Sequence, residues 1–170
     1  NRIALAAKNL SLPSKYDVRE KVPIPMGDQG SCGSCYLYST VWYTFTDAGI
    51  RAGYGKAGSY VLSVQWGMDR PRDFGGCNGG WGQEVAEYIC NSGMIAESWV
   101  DISGVKHNDY PAYEARSGND RTKAGAKVWG KGWTWGLVSN NNNPTNDEIK
   151  AAMMLYGRLN IALDAGGQFG

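Results

Sequence analysis

From Cys35 to about Ala52 the chain runs without proline, and Tyr36, Leu37, Val41, Trp42, Phe45 and Ala48 spread its apolar positions over more than one side of a helix. A surface helix confines such residues to one stripe, so the pattern predicts a buried helix, opened by Ser34 as N-cap and ended by Gly53. Upstream no such period exists. Pro13, Pro23 and Pro25 bar helix interiors, and residues 1–31 read as extended and loop-like. Ser63 predicts the cap of a short helix that stops before Pro71, and Gln83 to Asn91 reads as a helix with Val85, Ala86 and Ile89 on one face and Gly93 behind it. Between them, "GGCNGG" at 75–80 is a tight loop that glycine makes easy. From Val100 to Leu137 the texture changes to glycine-broken segments such as "KVWGKGWTWGLV", which suit short strands. Thr145, Asn146, Asp147 and Glu148 form a capping box opening a helix to about Tyr156, closed by Gly157, and "RLNIALDA" follows as a strand. A helical first half and a strand-like second half predict two lobes, with a soft boundary near 110–125.

Composition narrows the class. With 170 residues, 42% of them apolar, and seven Trp, the chain can bury a real core as one large or two small domains. A net charge of +1 points to no nucleic-acid or anionic-membrane partner, and no apolar run approaches the roughly 18 residues of a membrane span. No signal peptide is visible and "IALAA" is only a short apolar patch, so a processed mature form is the expectation. Asn9-Leu10-Ser11 is a glycosylation sequon, a triplet that also arises by chance. "GYGKAG" at 53–58 reads G-x-G-x-x-G, but it follows a helix rather than a strand and implies no dinucleotide site. Trp129, Trp133 and Trp135 suit a sugar-stacking platform or, by preference, hydrophobic packing between the lobes.

The four cysteines carry the candidate chemistry. Cys32-x-x-Cys35 is one close pair, but Cys77 and Cys90 are far apart and His107 is the single histidine, which fits no common zinc module. A thioredoxin-like dithiol would need a strand immediately upstream, where Pro23, Pro25 and Gly27 break the chain. A third reading separates the thiols. Cys35 stands at the helix start, where unpaired N–H groups and the positive end of the dipole favour an anion, while Cys32, on the loop, is free to bond elsewhere.

At this point the residues resemble a family. "QGSCGSCY" is similar to the active-site motif of papain-like cysteine peptidases. "LPSKYDVREK" resembles the family's mature start, "LSVQWGMD" its next short helix, "GCNGG" its substrate loop, and "GRLNIALDAG" the first strand after the helix of its second domain, all in the family's order. The resemblance implies an α+β, two-domain fold: an N-terminal segment over 1–19, a helical left domain over 20–120, and part of an antiparallel β-barrel right domain over 121–170. It implies that Cys35 is the nucleophile, that Gln29 donates to the oxyanion beside the Cys35 N–H, and that Cys32 pairs with Cys77. It further implies that Gly79 and Gly80 pair with an extended peptide substrate, and that Trp81 and Ala162 line the main specificity pocket, with core packing the plainer role for each of those two. No cofactor and no metal are implied. The compartment implied is secreted or lysosomal/vacuolar.

Departures from the family pattern matter too. Where many members carry a further cysteine seven residues before Cys77, this chain has Arg70, which leaves Cys90 as a free buried thiol. Tyr36 replaces the commoner tryptophan. No histidine-bearing insertion of the carboxydipeptidase kind follows "CNGG", so endopeptidase action is the default. The family's histidine and asparagine come roughly 130–150 residues after the cysteine; with the longer loops here, both are expected beyond Gly170, in a C-terminal remainder or second chain. His107, in a polar loop, is expected to be an ordinary surface residue. The expectation is therefore a cysteine endopeptidase acting on peptide or protein through Cys35, with this chain alone inactive. The alternative is an inactive papain-like binding or scaffold protein.

Overall fold

Leu37 and Val41 are fully shielded from solvent, and the fold is assembled around the helix that carries them. The computed structural model describes residues 2–69, 76–99, 128–138 and 143–161. Helix α1 spans Arg2–Asn9. Helix α2 is three stretches in unbroken succession: α-helical Cys35–Leu37, π-helical Tyr38–Phe45 and α-helical Thr46–Arg51. Helix α3 is Val64–Asp69, α4 is Gly82–Ser92 and α5 is Asn146–Tyr156. Strand β1, Met94–Ile95, pairs antiparallel with β2, Val128–Trp129, with Met94 opposite Trp129 and Ile95 opposite Val128.

The buried helix predicted from Cys35 onward is present. Tyr36, Leu37, Val41, Trp42 and Phe45 enter one core with Leu62, Val64, Val85, Ile89 and Met94. Its wide middle was not foreseen. The hydroxyls of Thr44 and Thr46 donate to the carbonyls of Ser39 and Val41, each five residues back, at 2.8 and 3.1 Å, a spacing that goes with a π-helical turn. Thr46 Oγ1 also accepts the N–H of Leu62 at 2.8 Å, fastening the helix to the next segment.

Ser34 corrects another expectation. Its side chain makes no capping bond; its carbonyl instead accepts the N–H groups of Leu37 and Tyr38, and the hydroxyl is buried with no hydrogen-bond partner among the described residues. Ser63 does cap: its Oγ accepts the N–H of Trp66 at 3.1 Å. The capping box at Thr145 and Glu148 is formed in both directions, at 3.2 and 2.9 Å. Gly53, Gly93 and Gly157, all at positive φ, follow the helices they were expected to stop.

The reading of residues 1–31 as extended fails at its start. Arg2–Asn9 precedes every proline, is rich in alanine, and packs against α5 with Ile3 buried. Val18–Glu20 adds one 3₁₀ turn, capped by Asp17, which accepts the Arg19 N–H at 2.9 Å. Of the glycine-broken segment only Val128–Trp129 is a strand among the described residues, and its partner Met94–Ile95 was not anticipated. Trp129 and Trp133 pack: Tyr54 stacks on both at 4.6 and 5.6 Å, and Phe45 lies 6.0 Å from Trp133. The boundary expected near 110–125 lies outside the described residues. Among the described residues no helix is long and apolar enough to cross a membrane.

Candidate active site

Cys35 is the first residue of α2, exposed and a free thiol. Cys32, three residues earlier, is buried and bonded to Cys77, 45 positions on, with their Cα atoms 4.6 Å apart. That bond excludes the Cys32–Cys35 dithiol and removes Cys32 as a metal ligand. The loop around Cys77 is held to the start of α2 by two further contacts. Gly33 N–H donates to Cys77 O at 3.0 Å, and the Tyr36 hydroxyl donates to Gly76 O at 3.2 Å. A Cβ on Gly33 would overlap the Cys77 carbonyl, so only glycine permits this approach. The Tyr36 bond is made by the very residue that departs from the family's tryptophan.

Gln29 stands on the loop that leads into α2. Its Nε2 donates to Cys32 O at 2.9 Å. An amide nitrogen carries two protons, so this bond fixes the group while leaving it one donor. The loop bearing Gln29 hangs from the polar ends of α2 aromatics. Trp42 Nε1 donates to Pro25 O at 2.9 Å, the Tyr38 hydroxyl donates to Asp28 O at 2.7 Å, and Gly27 N–H donates to the Tyr43 hydroxyl at 3.1 Å. Sequence reasoning treated Trp42 simply as an apolar position of a buried helix. The signal it passed over is chemical: a buried Tyr or Trp brings an O–H or N–H that needs a partner.

Gly79 has φ +92° with open space where a Cβ would stand, so the backbone conformation alone asks for glycine there. Gly80 is exposed, and Trp81, at 68% exposure just before α4, is not a core residue. Ala162, His107 and Arg70 lie outside the described residues. Cys90 is a free thiol, half-buried rather than fully buried, and burial pushes its pKa up. It opens on a shallow cavity shared with Glu87, Asn91, Trp133, Thr134 and Trp135, none of which belongs to the Cys35 group. Among the described residues no cluster of His, Cys, Asp or Glu could hold a metal ion.

The structure thus has an exposed free thiol at a helix start, the Gln29 amide tied to the Cys32 carbonyl three residues before it, and a glycine loop bolted to the same helix start. Comparison with known proteins follows the same residues. The profile of the papain family cysteine proteases matches residues 12–170. Cysteine proteinase 1 of Entamoeba histolytica is 32% identical over 161 residues, covering 92% of this chain and 45% of that protein. Cysteine proteinase 15A of Pisum sativum is 35% identical over 171 residues, covering 91% and 40%. A solved structure, that of the Amb a 11 cysteine protease, a major ragweed pollen allergen, in its proform, is similar at 29% identity over 55% of this chain and 29% of that one, with a TM-score of 0.43. The chain spans less than half the length of the two relatives named.

Proposed function

The chain belongs to the papain family of cysteine proteases, with its α+β fold, and from that membership we propose that Cys35 is the nucleophile of a peptide-bond hydrolysis. Cys35 Sγ, as thiolate, adds to the carbonyl carbon of the scissile bond, and the carbonyl oxygen takes the negative charge. The Cys35 N–H, at the first position of the helix, and the second Gln29 Nε2 proton together receive that oxyanion. Collapse breaks the C–N bond, leaves a thioester on Cys35 and releases the amine, which takes a proton from an imidazolium. Water, giving one proton to the imidazole, then adds to the thioester carbonyl; the C–S bond breaks, releasing the acid and restoring the Cys35 thiolate and the imidazolium.

The histidine and its asparagine partner come, in this reading, from sequence following Gly170, since His107 stands where the family carries no catalytic residue. Gly79 and Gly80 pair with the backbone of an extended peptide, and Trp81 and Ala162 border the pocket for one of its side chains. The Cys32–Cys77 bond supports a secreted or lysosomal/vacuolar compartment. The carrying observation is the division of labour between two neighbouring cysteines: Cys32 tied into a disulfide with Cys77, Cys35 free and exposed at the helix start.

The test is to express the protein together with the sequence that follows Gly170 in its gene, and to assay it on peptide substrates. Hydrolysis abolished by Cys35→Ala, and reduced roughly 10²- to 10³-fold by Gln29→Ala, is the expected result. A whole protein that binds peptides but cleaves none, with Cys35 intact and reduced, would instead establish the scaffold reading.

A further inference from the structure

Beyond Gly157 the chain leaves α5 and lies along α2, fixed to it at two points. The first is a buried ionic knot. Asp47, with no exposed surface, accepts Arg51 Nε at 2.7 Å and Arg158 N–H at 2.7 Å, while Arg158 Nη1 stands 3.5 Å from it and donates to Val22 O at 2.9 Å. The second is Asn160, whose Nδ2 donates to the buried Thr40 Oγ1 at 3.0 Å. Between Arg158 and Asn160 the contact point moves from Asp47 back to Thr40, so the segment advances along the helix toward its Cys35 end. Thr40 is five residues past Cys35, about 7.5 Å along the helix axis at most, so Asn160 is held to the nucleophile's own helix.

Gly82 closes the arrangement from the other side. A Cβ there would overlap Asn160 Nδ2 and come within 2.7 Å of Thr40 Oγ1. Gly82 is not among the glycines at positive φ, and it opens α4, where alanine would otherwise be welcome. Its smallness is explained by the amide it makes room for. Directly before it comes the exposed Trp81.

We propose that Asn160 is a positioning residue for the Cys35 site: bonded to Thr40 and seated against Gly82, it registers the segment after α5 against the helix that bears the nucleophile. The proposal rests on the proteolytic reading above. Asn160 does not touch the reacting atoms; it sets the spacing of the two walls between which an extended substrate lies. Asp47 and Arg158 anchor the far end of the same segment, so displacement at Asn160 swings the near end alone.

The experiment uses the whole protein with its C-terminal continuation. Asn160→Ala is expected to raise KM for an extended peptide about tenfold, the scale of one lost hydrogen bond, with kcat and the rate of Cys35 alkylation by iodoacetamide little changed. Gly82→Ala is expected to act in the same direction by expelling the amide. Asn160→Gln, a longer amide, is expected not to rescue, because Gly82 leaves no spare room. A KM unchanged in Asn160→Ala, in a wild type that cleaves peptides, overturns the proposal. A wild type that cleaves nothing overturns the proteolytic reading instead, and the contact is then decided by stability. The Tm shifts of Gly82→Ala and Asn160→Ala are expected to be strongly non-additive, the double variant melting above Gly82→Ala alone because the overlap is gone. Additive shifts would sink the placement of Asn160.

Discussion

Trp42 donates its indole N–H to Pro25 O, and Tyr38 its hydroxyl to Asp28 O, from a helix whose rings are otherwise buried. Hydropathy patterning reads such residues by their rings and predicts burial correctly, but it is silent on where the polar ends reach. That is why the core face of α2 was legible in the sequence and its grip on the Gln29 loop was not. Trp42→Phe is expected to cost about 1 kcal/mol in urea denaturation and to slow catalysis by the whole protein more than that loss of stability explains. The two free thiols differ by environment. Exposed Cys35 is expected to be alkylated by iodoacetamide well before half-buried Cys90, whose burial-raised pKa delays its thiolate until above the ordinary thiol range. Equal rates at every pH, read by peptide mapping, would contradict this. At the surface, hydrogen bonding to the Arg19 side chain holds the Asp17 carboxyl down at about 2. The depressed value means that this contact contributes fully above the ordinary carboxylate range and is lost as pH falls toward 2. Arg19→Ala is therefore expected to lower Tm slightly at pH 6 and by less at pH 2.

Helix α1 shows what local pattern misses at the level of the element. Eight residues form a marginal helix alone, and the three prolines that follow drew the whole segment into one extended reading. What stabilises it is α5, more than a hundred residues away in sequence. Ile3→Asp is expected to cost about 2 kcal/mol or more and to open residues 2–11 to limited proteolysis. Strands β1 and β2 were hard to read for a related reason: two residues each, and far apart in sequence, they leave no alternation to detect. Helices α3, α4 and α5 were legible because each carries its own start or stop, in Ser63, Gly93 and the Thr145–Glu148 box. At the end of α5, Gly157 has φ +91° and a Cβ there would overlap Asp47 and Arg51. Gly157→Ala is expected to destabilise by more than about 2 kcal/mol in thermal or urea unfolding, since it strains the backbone and disturbs a buried charge at once.

For the molecule as a whole, the family and the Cys32–Cys77 pairing could be read from motifs, whereas the Thr40–Asn160 and Asp47–Arg158 contacts could not, because they join positions 120 and 111 residues apart. In the proposed reading the 170-residue chain alone lacks the acid that protonates the leaving amine. It is expected to show peptidase activity lower by several orders of magnitude than the same chain joined to its continuation. Closing 45 residues into a loop is worth about 4 kcal/mol on the chain-entropy view of a disulfide. The Gly33 and Tyr36 contacts give that loop a second property, which concerns how the bond is made. The bonds from the Gly33 N–H to Cys77 O, and from the Tyr36 hydroxyl to Gly76 O, are expected to hold the sulfurs of Cys32 and Cys77 together before any oxidant arrives. Their effective concentration toward each other then exceeds that of either toward Cys35. An oxidising compartment can thus close the structural bond while sparing the thiol three residues away. Oxidative refolding of Tyr36→Phe is accordingly expected to yield more chains with Cys35 trapped in a wrong disulfide, and less titratable thiol at that position, than the wild type.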